Sequence, residues 1–107
     1  KLGPALENHS LFPKRTNVQL AVPTGPKELF ILIWERGAGE TQASGSSSCA
    51  AASAAVRLGL VKSPVTVKMP GGQLNIEVAV DFSLTMKGPV AEVARGSLSP
   101  SFVRSLR

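Results

Sequence analysis

The feature that most constrains the fold is a run of small residues in the middle of the chain, CAAASAAV at 49–56. The segment SGSSS at 44–48 offers side-chain oxygens that can cap a helix, and Gly59 can end one. We therefore predict a helix from about Ser46 to Leu58. A helix without a charged face is expected to be buried on most of its sides, and its small side chains allow neighbouring strands to approach closely.

Alternating or wholly apolar segments on both sides of this helix predict strands. They are NVQLAV at 17–22, ELFILIWE at 28–35, VTVKM at 65–69, LNIEVAV at 74–80 and FSLTM at 82–86. In the first of them Val18, Leu20 and Val22 share a face, so we expect a half-buried strand with this face covered. The sequence PGGQ between the third and fourth segments indicates a hairpin. We expect an α+β fold in which a mostly antiparallel curved sheet or barrel wraps around one central alanine-rich helix.

Composition limits the classes of function. A length of 107 residues predicts a single domain, 1–107, whose last part, 97–107, we expect to be loosely ordered. The net charge is +5, but the basic residues are scattered and Tyr is absent, which does not favour nucleic-acid binding. No apolar run approaches the length of a membrane helix, so no membrane partner is expected. With Cys49 and His9 as the only residues of their types, we expect neither a disulfide nor a metal site; a reducing cytoplasm suits this composition.

The segment before the helix carries the chemistry that the residues themselves suggest. Backbone N–H groups at a helix start have no partners and attract anions, and Gly45 removes a side chain from that position. Glu35 and Arg36 end the second strand, and GAG at 37–39 turns the chain back toward the helix. Together these groups would suit a small carboxylate ligand. The alternative is a serine-capped helix after a glycine turn, with Glu35 and Arg36 as a surface pair.

A family resemblance rests on these same residues. WERGAGETQASGSSSCAAASAAVRLGL at 34–60 resembles the C-terminal signature of diaminopimelate epimerases, of which ERGAGET is the most specific part. The family pattern is also similar at ENHSLFPKRTNV, 7–18, at VTVKMPGGQLNIEV, 65–78, and at MKGPVAEVARG, 86–96. The resemblance covers nearly the whole chain in order.

The resemblance implies an amino-acid epimerase that uses no cofactor and interconverts LL- and meso-diaminopimelate in lysine and peptidoglycan synthesis. Such enzymes consist of two pseudo-symmetric domains, each a barrel around a helix, and each domain supplies one cysteine to the shared site. One thiolate removes the Cα proton while the other thiol protonates the opposite face. This chain would then be the C-terminal domain, inactive without its N-terminal domain, with an amino acid as its substrate and a homodimer as an expected assembly.

Carried over residue by residue, the resemblance implies substrate contacts at five positions. Asn17 matches an asparagine that contacts the substrate, and Glu35 and Arg36 match the pair that contacts its distal end and its carboxylate. Gly45 and Ser46 match the Gly-Thr at the helix start, where the α-carboxylate is held. We therefore expect these side chains to face one cavity.

Ser44 departs from the family because it occupies the position of the catalytic cysteine. A thiol has an ordinary pKa of about 8.5, and an alcohol is a much weaker acid. Three interpretations stay open: Ser44 is a weak proton donor or positions a water, the protein carries out a one-base reaction or acts on another substrate, or it is a catalytically silent homologue that binds an anion or amino acid. Cys49 matches the family's second, non-catalytic cysteine, and we expect it to be buried and inert.

Two further residues receive structural interpretations. His9 lies beside a proline-bounded turn, where a surface or capping role is expected. Trp34, at the end of an apolar strand, is expected to pack in the core.

Overall fold

The computed structural model describes all residues from Lys1 to Arg107 and confirms the α+β class. The helices are α1 Leu2–Glu7, α2 Gly45–Arg57 and α3 Pro100–Ser105. The strands are β1 Val18–Gly25, β2 Glu28–Glu35, β3 Gly39–Thr41, β4 Val65–Met69, β5 Gly72–Val78 and β6 Leu84–Lys87. All five predicted strands and the predicted central helix are present, with boundaries shifted by a few residues.

The strands form one sheet in the order β1-β2-β4-β5-β6. Only β2 and β4 run parallel, because α2 crosses from one to the other, so the prediction of a mostly antiparallel sheet is confirmed. The short strand β3 pairs with the last residues of β2, and β4 pairs with its first residues. The hairpin predicted around PGGQ is formed by β4 and β5.

The core lies between α2 and one face of the sheet. From β2, the buried side chains Leu29, Ile31 and Ile33 alternate along the strand and point toward the helix. The helix contributes small residues to the same core: Ala51, Ala52 and Ala55. Because a methyl side chain adds little width, the strands can lie close to the helix axis, as the sequence predicts.

Burial of the helix on most of its sides is not observed. Ala50, Ala54 and Leu58 are exposed, because the sheet covers only one face of α2. The strands β1 and β6 remain as free edges, so these residues alone form an open sheet, not a closed barrel.

The apolar face of β1 also differs from the expectation of a half-buried strand. Val18 is buried, but Leu20 and Val22 are exposed and lie opposite Leu32 and Phe30 of β2, on the face turned away from α2. Period-two alternation identifies the two faces of a strand, but it does not say which face another element covers.

The helices α1 and α3 and the strand β3 were not predicted. All three are short. The helix α3 begins with a serine cap at Ser99 and a proline at its first position, a helix-start signal that the sequence analysis did not use. Every residue from Ala79 onward is exposed, and α3 lies within the tail at 97–107, whose loose order stays a prediction. None of the three helices has the length and apolarity to cross a lipid bilayer.

Candidate functional site

Ser44 is the N-cap of α2 and one of the serines that the sequence offers as possible caps. Its backbone is extended, with φ −156° and ψ 125°, and its Oγ accepts a hydrogen bond from the N–H of Ser47 at 3.3 Å. Its carbonyl oxygen accepts two more, from the N–H and the hydroxyl of Ser48 at 3.1 and 2.8 Å. The first turn of the helix is therefore held by this one residue.

The N–H groups of Gly45 and Ser46 have no acceptor within the protein. They occupy the first two positions of the helix, where the partial positive charge of the helix dipole is concentrated. A Cβ at position 45 would lie 2.9 Å from Sδ of Met86, so glycine is what allows this methionine to approach the helix start. The helix start thus offers two free donors beside a flexible apolar side chain.

The hydroxyl of Ser44 has no base beside it. Its other neighbour is the Ser46 hydroxyl at 3.4 Å, and the Ser44 N–H faces the sulfur of Met69 at 3.5 Å. No imidazole, carboxylate or amine forms a hydrogen bond with this oxygen. Since an alcohol needs such a partner to release its proton near neutral pH, nothing within these residues activates Ser44 as a base.

A cavity of about 260 Å³ opens beside Ser44. Its walls come from the helix start, the β4–β5 hairpin and the segment after β6: Ala43, Ser44, Gly45, Met69, Gly71, Gly72, Gln73, Leu74 and Pro89. The hairpin turn is fixed there because the N–H of Gly71 donates to the carbonyl of Gln42 at 2.8 Å. The expected lining by Asn17, Glu35 and Arg36 is not found at this cavity.

A second group of predicted residues lies at the β2–β3 loop. The Asn17 Oδ1 accepts a hydrogen bond from the backbone N–H of Arg36 at 2.8 Å, and the Arg36 guanidinium donates to the carbonyl of Lys14 at 3.3 Å. Glu35 is half-buried and forms no ion pair, so the Glu35–Arg36 pair that the sequence suggests is not formed.

The β3 strand explains why the two groups are apart. It runs antiparallel to β2, so that Thr41 lies opposite Ile33. The chain has therefore moved back along β2, away from Arg36 in the β2–β3 loop, before α2 begins. At about 3.3 Å per strand residue, the three steps from Arg36 back to Ile33 correspond to roughly 10 Å. The Gln19 side chain still connects β1, which follows Asn17, with the first turn of α2, since its Nε2 donates to the buried Ser47 Oγ at 3.0 Å.

Glu7 is a buried carboxylate that sequence reasoning did not single out. It accepts hydrogen bonds from the Trp34 indole at 2.7 Å, the Gly37 N–H at 3.0 Å and the Arg15 guanidinium at 3.3 Å. The Trp34 and Gly37 donors, and then the positive charges of Arg15 and Arg36, hold the pKa of Glu7 below its ordinary value. In the sequence this residue is a single acid in a short segment without periodicity, so only the fold reveals its partners.

The comparison with protein families identifies the family to which this geometry belongs. The profile described as diaminopimelate epimerase matches residues 1–93, which include both groups of candidate residues. The chain belongs to the diaminopimelate epimerase family.

Individual diaminopimelate epimerases are similar over most of the chain. The protein of that name from Desulfitobacterium hafniense is 47% identical over 98 residues, which are 92% of this chain and 35% of the relative. Diaminopimelate epimerase 2 from Nostoc is 50% identical over 97 residues, 91% of this chain and 34% of the relative. The chain therefore spans about a third of the length of the curated relatives that it matches.

Three smaller predictions for this member of the diaminopimelate epimerase family have different outcomes. His9 is exposed and its Nδ1 accepts the Leu11 N–H at 3.2 Å, which agrees with a surface capping role. Trp34 is only half-buried, because it lies on the face of β2 turned away from α2, where α1 packs against its ring. Cys49 was expected to be buried, but it is partly exposed at the margin of the core, because the sheet covers only one side of α2.

Proposed function

We propose that the full-length protein is a cofactor-independent amino-acid epimerase that acts on diaminopimelate, and that these residues are its C-terminal domain. Membership of the diaminopimelate epimerase family supports the reaction class. The single structural observation that carries the proposal is the start of α2, where the N–H groups of Gly45 and Ser46 are free. The protein would work in the cytoplasm in lysine synthesis.

In this proposal the substrate's α-carboxylate binds at the start of α2. An anion there gains from two unpartnered N–H donors and from the helix dipole. Asn17, Glu35 and Arg36 would contact the distal end of the same substrate. Their separation from the helix start suits a ligand with a carboxylate at each end better than a small amino acid.

The rest of the full-length protein would complete the domain and the site. The edge strand β1 has no second neighbour, and beside it lies an apolar groove of about 320 Å³ between β1 and α2. Its lining includes the exposed alanines of α2 and two leucines that follow: Ala50, Ala54, Leu58 and Leu60. Strands from the missing two thirds would cover this groove and close the sheet into a barrel, and the N-terminal domain would provide the second acid–base group.

The position of Ser44 supports a second candidate function. Its oxygen caps the helix and has no base beside it, so proton abstraction from Cα by this side chain would be slow. On this reading the domain binds an amino-acid carboxylate, and the full-length protein is a one-base enzyme or a silent homologue. Ser44 would then only orient a water or the ligand.

The carboxylate site is tested by removing one N–H without removing the helix. Proline is compatible with the first position of a helix, and Ser44 before it is already extended, so Gly45→Pro deletes the donor and keeps the backbone. Gly45→Ala is the matched control, because it brings a similar Cβ toward Met86 but retains the N–H.

Binding of meso-diaminopimelate to the full-length protein, followed by NMR shifts of the Ser46 amide, measures the effect. We expect Gly45→Pro to weaken binding about tenfold, the free-energy value of one hydrogen bond to a charged group, and Gly45→Ala to bind nearly as the wild type. Equal binding by Gly45→Pro and Gly45→Ala would overturn the carboxylate site. Epimerisation of diaminopimelate by the full-length protein then distinguishes the two candidate functions, because an epimerase turns the substrate over and a silent homologue only binds it.

A further inference from the structure

Glu7 is the only carboxylate that is buried in this protein, with 6% of its surface exposed. A buried carboxylate is costly unless hydrogen bonds satisfy it. Here three donors do so, and they come from three different segments: the end of β2, the β2–β3 loop and the segment before β1. A single carboxylate therefore fixes the relative positions of three parts of the chain.

These three segments are the ones that place Asn17 and Arg36. The Gly37 N–H, which donates to Glu7, follows Arg36 directly, and Arg15, which also donates to Glu7, stands two residues before Asn17. The Asn17–Arg36 hydrogen bond thus lies between two segments that Glu7 holds together. Without the carboxylate, the β2–β3 loop would lose one of its three hydrogen bonds to the rest of the site, and Asn17 and Lys14 would accept the remaining two.

The backbone at these points requires such a restraint. Arg15 has φ +60° and Gly37 has φ +76°, both in the left-handed region, which is unfavourable for a side chain such as that of Arg15. Hydrogen bonds to Glu7 can hold this conformation where the local sequence does not favour it. Trp34 makes the third contact, and its ring packs against Gly3 of α1, the helix that carries Glu7.

We propose that Glu7 is a positioning residue whose buried carboxylate holds Asn17 and Arg36 in the arrangement that receives the distal end of the ligand. This inference rests on the proposed function for the ligand, but the positioning itself can be measured without it. Glu7 does not contact the ligand in this proposal. It acts through Gly37 and Arg15.

The test is Glu7→Gln in the chain, with Glu77→Gln as the matched control, since the Glu77 side chain is exposed on β5 and has no hydrogen-bond partner. The glutamine amide has one oxygen that can accept and one NH₂ group that can only donate. In one orientation the NH₂ group faces the Gly37 and Arg15 donors, and in the other it faces the Trp34 donor, so at least one hydrogen bond to Glu7 is lost. NMR provides the readouts: the resonance of the indole N–H of Trp34, the only tryptophan, and the hydrogen-exchange rate of the Arg36 amide.

We expect Glu7→Gln to shift the Trp34 resonance and to accelerate Arg36 exchange about tenfold, as local opening costs less without the buried carboxylate. We also expect the affinity of the full-length protein for meso-diaminopimelate to fall severalfold, whereas Glu77→Gln changes none of these. Unchanged Arg36 exchange in Glu7→Gln would overturn the positioning role. If the full-length wild type does not bind meso-diaminopimelate, the proposed function fails, and Arg36 exchange alone then decides for or against Glu7.

Should Glu7→Gln fail to fold, Arg15→Met takes its place. The Arg15 side chain is 53% exposed, so the variant removes one donor to Glu7 without opening the core. We expect a smaller acceleration of Arg36 exchange in the same direction. No acceleration would contradict the proposal.

Discussion

The hydroxyl of Ser44 accepts a hydrogen bond from the backbone N–H of Ser47 at 3.3 Å, which commits this oxygen to capping α2. The diaminopimelate epimerase resemblance places a cysteine at this position. In this protein the Ser44 side chain therefore stabilises the start of α2, and a role in proton transfer would have to be compatible with this hydrogen bond.

The first prediction concerns this cap. Ser44→Ala should lower the free energy of unfolding by about 1 kcal/mol, the usual effect of removing a serine N-cap. Ser46→Ala is the control, because its hydroxyl contacts only that of Ser44, at 3.4 Å. Urea denaturation followed by circular dichroism measures both. Equal stability of the two variants would mean that the Ser44–Ser47 hydrogen bond contributes nothing to α2.

The second prediction concerns pH and Glu7. Its folded-state pKa is lowered, first by the Trp34 indole and then by the Gly37 N–H, with Arg15 and Arg36 as the nearby charges. The stabilisation is therefore complete above the unfolded-state pKa of about 4.3 and is lost as the pH falls through the folded-state pKa.

Comparison with Glu7→Gln isolates this contribution, because the other carboxylates titrate in both proteins. The difference in unfolding free energy between wild type and variant should be constant near pH 7 and should shrink on acidification below about pH 4. A difference that is the same at pH 7 and pH 3 would show that the Glu7 charge does not contribute.

The third prediction concerns the packing of α1. A Cβ at Gly3 would lie 2.5 Å from Cγ of Trp34, too close for the ring to remain in place. Gly3→Ala should therefore destabilise the protein by about 1–3 kcal/mol, as overpacking does. Gly96→Ala is the control, since nothing lies within 4 Å of a Cβ there. Thermal unfolding compares them, and a neutral Gly3→Ala would place α1 elsewhere.

The fourth prediction concerns the exposed apolar face of the β1–β2 hairpin, formed by Leu20, Val22, Phe30 and Leu32. We expect this face to promote self-association of the chain, because contiguous apolar surface tends to be covered. Leu32→Lys should shift the sedimentation coefficient toward the monomer, whereas Thr85→Lys, on an exposed position of β6, should not. A monomeric wild type, or a Leu32→Lys variant that associates equally, would exclude this face.

The fold was predictable where a hydrophobic or small-residue pattern extends over one continuous segment of the sequence. The continuous apolar run of β2 predicts a strand inside the sheet, and the small residues before Gly59 predict a helix that strands can approach closely; both are observed. The closed barrel was not observed, because β1 and β6 do not pair with each other and remain as edges of an open sheet. The faces of β1 were assigned wrongly, because their burial depends on what packs against them.

The arrangement of the candidate residues could not be predicted from the sequence. The family resemblance implied Asn17, Arg36 and Ser44, and the structure makes Ser44 the N-cap and joins Asn17 to Arg36. It does not place Ser44 with the other two, since the pairing of β3 with β2 separates them. Glu7 was missed because its importance comes from partners at distant positions in the sequence.

The most direct measurement of the central claim is epimerisation by the full-length protein with cysteine restored at position 44. Solvent deuterium uptake at Cα of diaminopimelate, measured for wild type and Ser44→Cys, reports proton exchange itself. If Ser44 is the weak acid–base group in an otherwise intact site, Ser44→Cys should raise the rate by orders of magnitude, because proximity is already provided and a thiol has a usable pKa. No increase, or a loss of activity, would contradict the assignment of the epimerase mechanism to this protein.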